Sequence, residues 1–295
     1  MEAIGKELGK FSDVTLTNLA LWSVDRKDWR YGDLPYDVVA IFGDRAPALH
    51  AALDAHIQGI PVVHIHAGER TLGSSDDDYR DAISCLSSYL FCSHERYADR
   101  LRQAGFRNEF IEVVGAPSLC LLDGKERKLD PNDPYCVATL HTATKSPESP
   151  YPLLDALHSY RGRVVFTTPA PDPGFDELKK AIWGRGHYFT NFTSACDFID
   201  KLCGAQFFIG NSSVSFFECP VLRVPAINVG RRQAGRLTPL GTINVRNEES
   251  AIRKAMEGVP SIREFYSPYH RPDAARRIAQ VLAHGNIAHG SEVRK

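Results

Sequence analysis

The 295-residue chain has little of what marks a membrane, secreted or nucleic-acid-binding protein. No run of about 18 apolar residues occurs, and the polar start MEAIGKELGKF has no apolar core of the kind a secretory signal needs. The 35 Lys and Arg residues nearly balance the 36 Asp and Glu residues, so no net field attracts nucleic acid or a membrane surface. Any anion site must therefore be built from local groups.

The cysteine patterns of zinc sites and disulfide frameworks are missing as well. The seven cysteines are odd in number, include no CxxC pair, and several lie in apolar segments such as SYLFCSHE and FFECPV. This usage is typical of buried free thiols in a reducing cytosol, so we expect a cytoplasmic protein. Repeats of solenoid period and low-complexity tracts are also missing.

What the chain does have is a regular alternation of short apolar runs with helical patterns. YDVVAIFGD (36–44) and IPVVHIHAGE (60–69) are typical of buried strands, and repeated β-α-β units predict an α/β fold with parallel sheets. The charged, proline-containing stretch 123–135 predicts a linker. We expect two Rossmann-like domains, 1–122 and 136–295, with a cleft between them and ligands at the carboxyl ends of the strands. The last helix either stays in the second domain or crosses back.

The clearest local signal is FFIGNSSVSFFE (207–218), where an apolar strand precedes a predicted helix. Backbone N–H groups, the hydroxyls of Ser212 and Ser213 and a positive helix end would bind phosphate. Glu218, further along the helix, would accept hydrogen bonds from a diol such as ribose. A simple serine N-cap explains the same residues equally well.

Three other segments carry weaker signals. Asp44 stands at the carboxyl end of a strand, where α/β enzymes keep catalytic groups, but an Asp N-cap of the following helix is the commoner role. His141 stands at the equivalent position of the second domain, and a lone histidine there is more often structural. INVGRRQAGR (227–236) supplies arginines that can bind phosphate, although exposed arginine loops are common.

HIHAGE (64–69) combines two histidines and an acid at the end of the second strand. Strand alternation puts His64 and His66 on one face, with Glu69 in the following loop. Such a set could hold a metal ion. No third histidine lies at ligand spacing, however, and both rings could equally be buried structural groups. We expect no metal and no cofactor.

Taken together, VVAIFGDRAPALHAAL, IPVVHIHAGERTLGSSDDDYRDAIS and FIGNSSVSFFE with VPAINVGRRQAGR resemble the hydrolysing UDP-N-acetylglucosamine 2-epimerases, particularly the branch feeding sialic-acid-type sugar synthesis. The resemblance covers roughly residues 36–250. It implies a glycosyltransferase-B-like fold, UDP held mainly by the second domain, and a homodimer. It also implies anti elimination of UDP with loss of the sugar C2 proton, then hydration to N-acetylmannosamine.

The resemblance assigns roles to individual residues. Catalytic groups are expected at Asp44, His66, Glu69, Asp76 and His141. Contacts to the substrate or its UDP are expected from Arg45, Asn211, Ser212, Ser213, Glu218 and Arg232. His66 stands where many members have a catalytic glutamate, so the carboxylate mechanism cannot be transferred unchanged, although imidazole also moves protons near neutral pH.

The family begins with a strand and a Gly/Arg-containing turn over the substrate phosphates, and this sequence begins after that point. The first domain is therefore expected to be incomplete, and VTLTNLALWSV (14–24) is compatible with a strand that fills the gap or with a helix. Two functions stay open: an active UDP-amino-sugar 2-epimerase, or a relic or regulator that binds the UDP-sugar without turnover. A metal-dependent hydrolase and a glycosyltransferase are weaker alternatives.

Overall fold

The computed structural model describes residues 2–10, 36–169, 172–284 and 287. The chain divides into two compact units: the first comprises Met1–Arg70, Ser75–Asp123 and Tyr269–Lys295, and the second comprises Thr71–Ser74 and Gly124–Pro268. Most of the stretch predicted as a linker thus lies in the second unit, and the last helix lies in the first. The segment 14–24 is outside the described residues. Within the described ranges, every helix is too short or too polar to cross a membrane.

The elements follow the predicted alternation. The strands are β1 (Val39–Phe42), β2 (Val62–Ile65), β3 (Tyr89–Cys92), β4 (Ile111–Val113), β5 (Tyr135–Thr139), β6 (Arg163–Thr167), β7 (Phe189–Thr190), β8 (Phe208–Gly210), β9 (Ala226–Val229) and β10 (Thr242–Val245). The helices are α1 (Glu2–Leu8), α2 (Ala46–Ile57), α3 (Asp76–Leu86), α4 (Glu95–Gln103), α5 (Tyr151–Leu157), α6 (Phe175–Gly184), α7 (Ala195–Cys203), α8 (Glu218–Val221), α9 (Glu249–Gly258) and α10 (Ala274–His284).

The first unit contains a parallel sheet in the order β1-β2-β3-β4. All four residues of β2 are buried because apolar side chains cover both faces of the sheet. Val63 and Ile65 pack in one cluster with α1 and α10, while Val62 packs in another with α2. Burial on both faces explains why the apolar residues of this strand follow one another without alternating with exposed polar ones.

The second unit contains a six-stranded parallel sheet in the order β10-β9-β8-β5-β6-β7. Chain order therefore reverses direction between β5 and β8, as in the dinucleotide-binding fold, whose ligands bind at this switch point beside the carboxyl ends of the strands. Thr139 and Gly210 pair at those ends. The two parallel α/β units confirm the predicted fold class.

The predicted continuous helix after β8 is wrong. Ser213–Ser215 form a single 3-10 turn, and α8 begins only at Glu218. Pro220 explains the break, because proline has no N–H to donate to the carbonyl of Phe216 and its ring clashes with that carbonyl in a continuous helix. The short edge strands β7 and β10 were not predicted from the sequence.

Candidate active site

In the first unit, a buried arginine joins the carboxylates that follow β1 and open α3. The Arg80 guanidinium, 1% exposed, pairs with Asp44 and Asp77 and donates to the backbone carbonyl of Glu69 at 3.0 Å. Burial acts to lower the pKa of Arg80, but the carboxylates of Asp44, Glu69 and Asp77 outweigh it and raise that pKa. Arg45, and not Asp44, is the N-cap of α2, so the capping interpretation of Asp44 is wrong.

Three consecutive aspartates, residues 76–78, open α3. The first of them, Asp76, is the predicted catalytic carboxylate and is half-buried. Its neighbour Asp77 is the buried member of the run, and its Oδ1 accepts from Arg80 at 2.6 Å. Sequence reasoning missed both Asp77 and Arg80. The spacing could have identified them, since residues three apart on a helix share a face.

His64 is a buried structural residue. Its Nε2 lies 2.9 Å from the carbonyl oxygen of Gly43, which can only accept, so Nε2 carries the proton. Its Nδ1 lies 2.9 Å from the Ser84 hydroxyl and accepts from it. Burial lowers the pKa of His64 to about 3. Both ring nitrogens are engaged, and no group of three His, Cys, Asp or Glu residues in the described part of the chain could hold a metal ion.

His66 lies past the end of β2 in a left-handed conformation, with φ +68°. The prediction that it shares a strand face with His64 is therefore wrong. Its Nδ1 lies 2.6 Å from Oε1 of Glu69, and the ring packs edge-on against Phe42 with centroids 4.9 Å apart. The His66 side chain is 13% exposed and that of Glu69 only 1%, so the imidazole covers the carboxylate.

In the second unit, Asn211 and His141 follow the paired ends of β8 and β5. The Asn211 amide holds both backbone groups of His141: Oδ1 accepts from its N–H at 2.7 Å, and Nδ2 donates to its carbonyl at 2.7 Å. Asn211 is buried, so its side chain fixes where His141 stands. The contact predicted between Asn211 and UDP stays a prediction.

The other predicted UDP ligands surround this switch point. Ser212 caps the 3-10 turn, with Oγ accepting from the N–H of Val214 at 3.4 Å, and half-buried Ser213 begins the turn. The positive end of a long helix is therefore not available to a phosphate here. Glu218 opens α8. The Arg232 guanidinium donates to the carbonyls of Thr142 and Asn211, both at 3.3 Å, which bridges the segments after β5 and β8.

A second polar group missed by sequence reasoning supports the same segment. The buried amide of Gln233 donates to the carbonyl of Asn211 at 2.9 Å. Gly73, in the short segment of the second unit that precedes α3, lies directly against Arg232. A Cβ on Gly73 would stand 2.5 Å from the Arg232 Cα, so only glycine fits there. Lys145 N–H also donates to the Gly73 carbonyl at 3.2 Å.

Known proteins resemble this chain over most of its length. Residues 26–283 match the protein family described as UDP-N-acetylglucosamine 2-epimerase. The chain is 27% identical over 272 residues to the polysialic acid biosynthesis protein P7 of Escherichia coli, covering 84% of this chain and 70% of that protein. It is 30% identical over 259 residues to the GDP/UDP-N,N'-diacetylbacillosamine 2-epimerase (hydrolyzing) of Campylobacter jejuni, covering 80% and 66%.

A third relative, the UDP-N-acetylglucosamine 2-epimerase of Neisseria meningitidis serogroup B, is 29% identical over 245 residues, covering 78% of this chain and 65% of that protein. The chain thus spans about two thirds of the length of these curated relatives. The crystal structure of the Methanocaldococcus jannaschii UDP-GlcNAc 2-epimerase in complex with UDP-GlcNAc and UDP superposes with a TM-score of 0.69 at 20% identity, covering 84% of this chain and 76% of that one. This likeness confirms the glycosyltransferase-B-like fold class.

Proposed function

Because its match extends over residues 26–283, the chain belongs to the UDP-N-acetylglucosamine 2-epimerase family, and from this premise we propose that it is a hydrolysing 2-epimerase of UDP-2-acetamido sugars. The names of two relatives, a UDP-N-acetylglucosamine 2-epimerase and a GDP/UDP-N,N'-diacetylbacillosamine 2-epimerase (hydrolyzing), support this substrate class. The observation that carries the proposal is the pairing of Asp44 with Arg80 beside the His66–Glu69 pair, at the ends of neighbouring strands.

The proposed reaction has two stages. In the first, a base removes the C2 proton while the C1–O bond to the diphosphate breaks with its electron pair, which gives a C1=C2 glycal and UDP. In the second, C2 takes a proton on its other face, and C1 takes the oxygen of a water molecule that loses a proton. The products are UDP and the sugar inverted at C2, N-acetylmannosamine when the substrate is UDP-N-acetylglucosamine.

Inversion at C2 requires proton removal on one face of the sugar and proton delivery on the other. We assign these transfers to His66 and Asp44, since imidazole and carboxylate are the common acid–base groups of enzymes. Gly43 N–H donates to the Ile65 carbonyl at 3.3 Å, so the segments that carry the two groups are directly bonded neighbours. Asp76, at the start of α3, is a further candidate for one of these proton transfers.

The residues at the switch point of the second unit are proposed to hold the nucleotide. Ser212 and Ser213 offer hydroxyls to the diphosphate, and Glu218 offers a carboxylate to the ribose. Arg232 is fixed by two backbone carbonyls, which holds a positive charge beside the same segment. His141 is proposed to assist the departure of UDP, where stabilisation of the developing negative charge lowers the barrier.

Incubation with UDP-N-acetylglucosamine tests the activity. Wild-type protein is expected to release UDP and free N-acetylmannosamine, and Asp44→Asn to slow UDP release by about 100-fold or more. Asp99→Asn, on the exposed pair with Arg102 in α4, is the matched control and keeps wild-type rates. Equal UDP release by Asp44→Asn and wild type would contradict the assigned role of Asp44.

Calorimetry with UDP separates the enzyme from a relic that only binds. Weaker UDP binding by Ser212→Ala and Glu218→Gln, together with turnover by wild type, supports the proposal. UDP binding without release of any sugar would establish the binding-only alternative. Cytosolic location and a homodimer belong to the same proposal, and the seven cysteines, all within the described residues and none in a disulfide, fit a reducing compartment.

A further inference from the structure

The surroundings of the Glu69 carboxylate bear on the catalytic role that the resemblance predicts for this residue. Its side chain is almost completely buried beneath His66. Its Oε1 is within 2.6 Å of both His66 Nδ1 and the Ser93 hydroxyl. A carboxylate that accepts two such short hydrogen bonds is fixed in place, and a carbon-bound proton of a sugar could not approach it without displacing the imidazole.

Ser93 is a residue that the sequence did not single out. It directly follows β3, which is the neighbour of β2 in the sheet. Its side chain is buried and donates to Glu69 at 2.6 Å. The backbone N–H of Ala67 donates to the Phe91 carbonyl at 3.0 Å, which ties the two segments together. The hydroxyl, the carboxylate and the imidazole therefore form one hydrogen-bonded series from the end of β3 to the surface.

We propose that Ser93, Glu69 and His66 form a positioning relay, in which Glu69 and Ser93 act only through the imidazole that exchanges protons with the substrate. The inference rests on the proposed function for the substrate and deepens it. A carboxylate beside Nδ1 accepts a hydrogen bond from Nδ1–H, so the neutral ring is the Nδ1–H tautomer and its Nε2 lone pair is basic. The same carboxylate stabilises the imidazolium once Nε2 is protonated. Glu69 is then the third group, which orients the base His66 towards the substrate.

Three charged or titratable groups around the His66–Glu69 pair each keep one protonation state near neutral pH. From β2, His64 stays neutral because burial lowers its pKa to about 3. From β3, Cys92 stays a thiol because burial raises its pKa. From α3, Arg80 is always charged and is paired with Asp44 and Asp77.

Ring-nitrogen NMR tests the relay without any substrate. In protein labelled with 15N-histidine, the signals of His66 are assigned by their loss in His66→Asn. Wild type is expected to show the Nδ1–H tautomer, and Glu69→Gln to show a mixture of the two neutral tautomers, because an amide can donate to Nδ1 as well as accept from Nδ1–H. An Nε2–H tautomer in wild type, or an unmixed Nδ1–H tautomer in Glu69→Gln, would overturn the relay.

Kinetics on UDP-N-acetylglucosamine give the second readout. Glu69→Gln is expected to lower kcat/KM by at least about 10-fold and to shift a limb of its pH profile, because the negative charge beside the imidazole is lost. Ser93→Ala should give a smaller loss of kcat/KM without that shift, because Glu69 keeps its charge, and Ser93→Thr, which keeps the hydroxyl, should restore the wild-type rate. Ser87→Ala is the matched control in the same unit, since the buried Ser87 hydroxyl donates to the Ile83 carbonyl at 2.7 Å.

If Glu69→Gln lowers kcat/KM by the same factor at every pH, with no shift of the pH profile, Glu69 is merely structural and the proposal is overturned. If Glu69→Gln does not fold, the wild-type tautomer and the kcat/KM values of Ser93→Ala and Ser93→Thr still decide the question. If wild type releases no UDP, the proposed function fails, while the NMR result still stands or falls by itself.

Discussion

The Asn211 side chain bonds both the N–H and the carbonyl of His141, each at 2.7 Å. This pair of bonds continues the parallel pairing of β5 and β8 by one further step, because an amide side chain has the same donor and acceptor as a peptide. The candidate leaving-group histidine is thus placed by the strand that precedes the predicted phosphate ligands.

Asn211→Ala should therefore disturb His141 more than it disturbs the sheet. Removal of both bonds leaves two backbone groups without their partner, and the free energy of unfolding should fall by about 1 to 3 kcal/mol. UDP affinity by calorimetry should fall about tenfold or more. Exposed Asn132→Ala is the control. Unchanged UDP affinity in a folded Asn211→Ala protein would contradict the proposed coupling.

Arg80→Met should be strongly destabilising, because it leaves the carboxylates of Asp44 and Asp77 without the buried charge that they face. Loss of one partner of a buried ion pair costs about 3 to 5 kcal/mol. Urea unfolding measures this, and Arg102→Met, which removes only exposed pairs, should cost less than about 1 kcal/mol. Equal effects of the two substitutions would show that the Arg80 network adds little stability.

His64 should make the protein less stable in acid. Its pKa is about 3 in the folded chain and 6.5 as a reference, so below pH 6.5 the unfolded chain binds a proton that the folded chain does not. The free energy of unfolding should therefore fall as pH drops from 6.5 towards 3, by up to about 1.4 kcal/mol per unit. Urea titrations at pH 6.5 and 4.5 should show a smaller fall for His64→Gln than for wild type. An equal fall in the free energy of unfolding for His64→Gln and wild type would contradict this. His56 is exposed, so His56→Gln should show the same fall as wild type.

Gly73→Ala should displace Arg232 without unfolding the second unit. The added Cβ would stand 2.5 Å from the Arg232 Cα, closer than real contacts allow, so the backbone must move. Calorimetry should show weaker UDP binding. Gly184→Ala, where a Cβ meets open space at the end of α6, should leave UDP affinity unchanged. Wild-type UDP affinity in Gly73→Ala would contradict the proposal that contact with Gly73 positions Arg232 to bind UDP.

Local sequence patterns predicted helices and strands correctly where the burial of apolar side chains alone determines them. The unbroken apolar run of β2 and the periodic pattern of α3 are set by burial, and both segments form as expected. Local reasoning failed where a single residue changes the backbone. Strand alternation cannot foresee that His66 turns left-handed, and the helix predicted after β8 ignored Pro220.

Other features depend on contacts that are distant in sequence. The partnership of Asn211 with His141 depends on β5 lying beside β8, which no local pattern reveals. The link from Ser93 to Glu69 likewise depends on the pairing of β2 with β3. The pairing of Asp77 with Arg80 is different, because the two residues are only three apart on α3 and this spacing is visible in the sequence.

Proton NMR of the reaction in D2O tests the central claim most directly. Wild-type protein with UDP-N-acetylglucosamine should yield UDP and N-acetylmannosamine carrying deuterium at C2, because that carbon exchanges its proton during elimination and hydration. Intact substrate after prolonged incubation, or a released sugar that keeps its original C2 proton, would contradict a hydrolysing 2-epimerase.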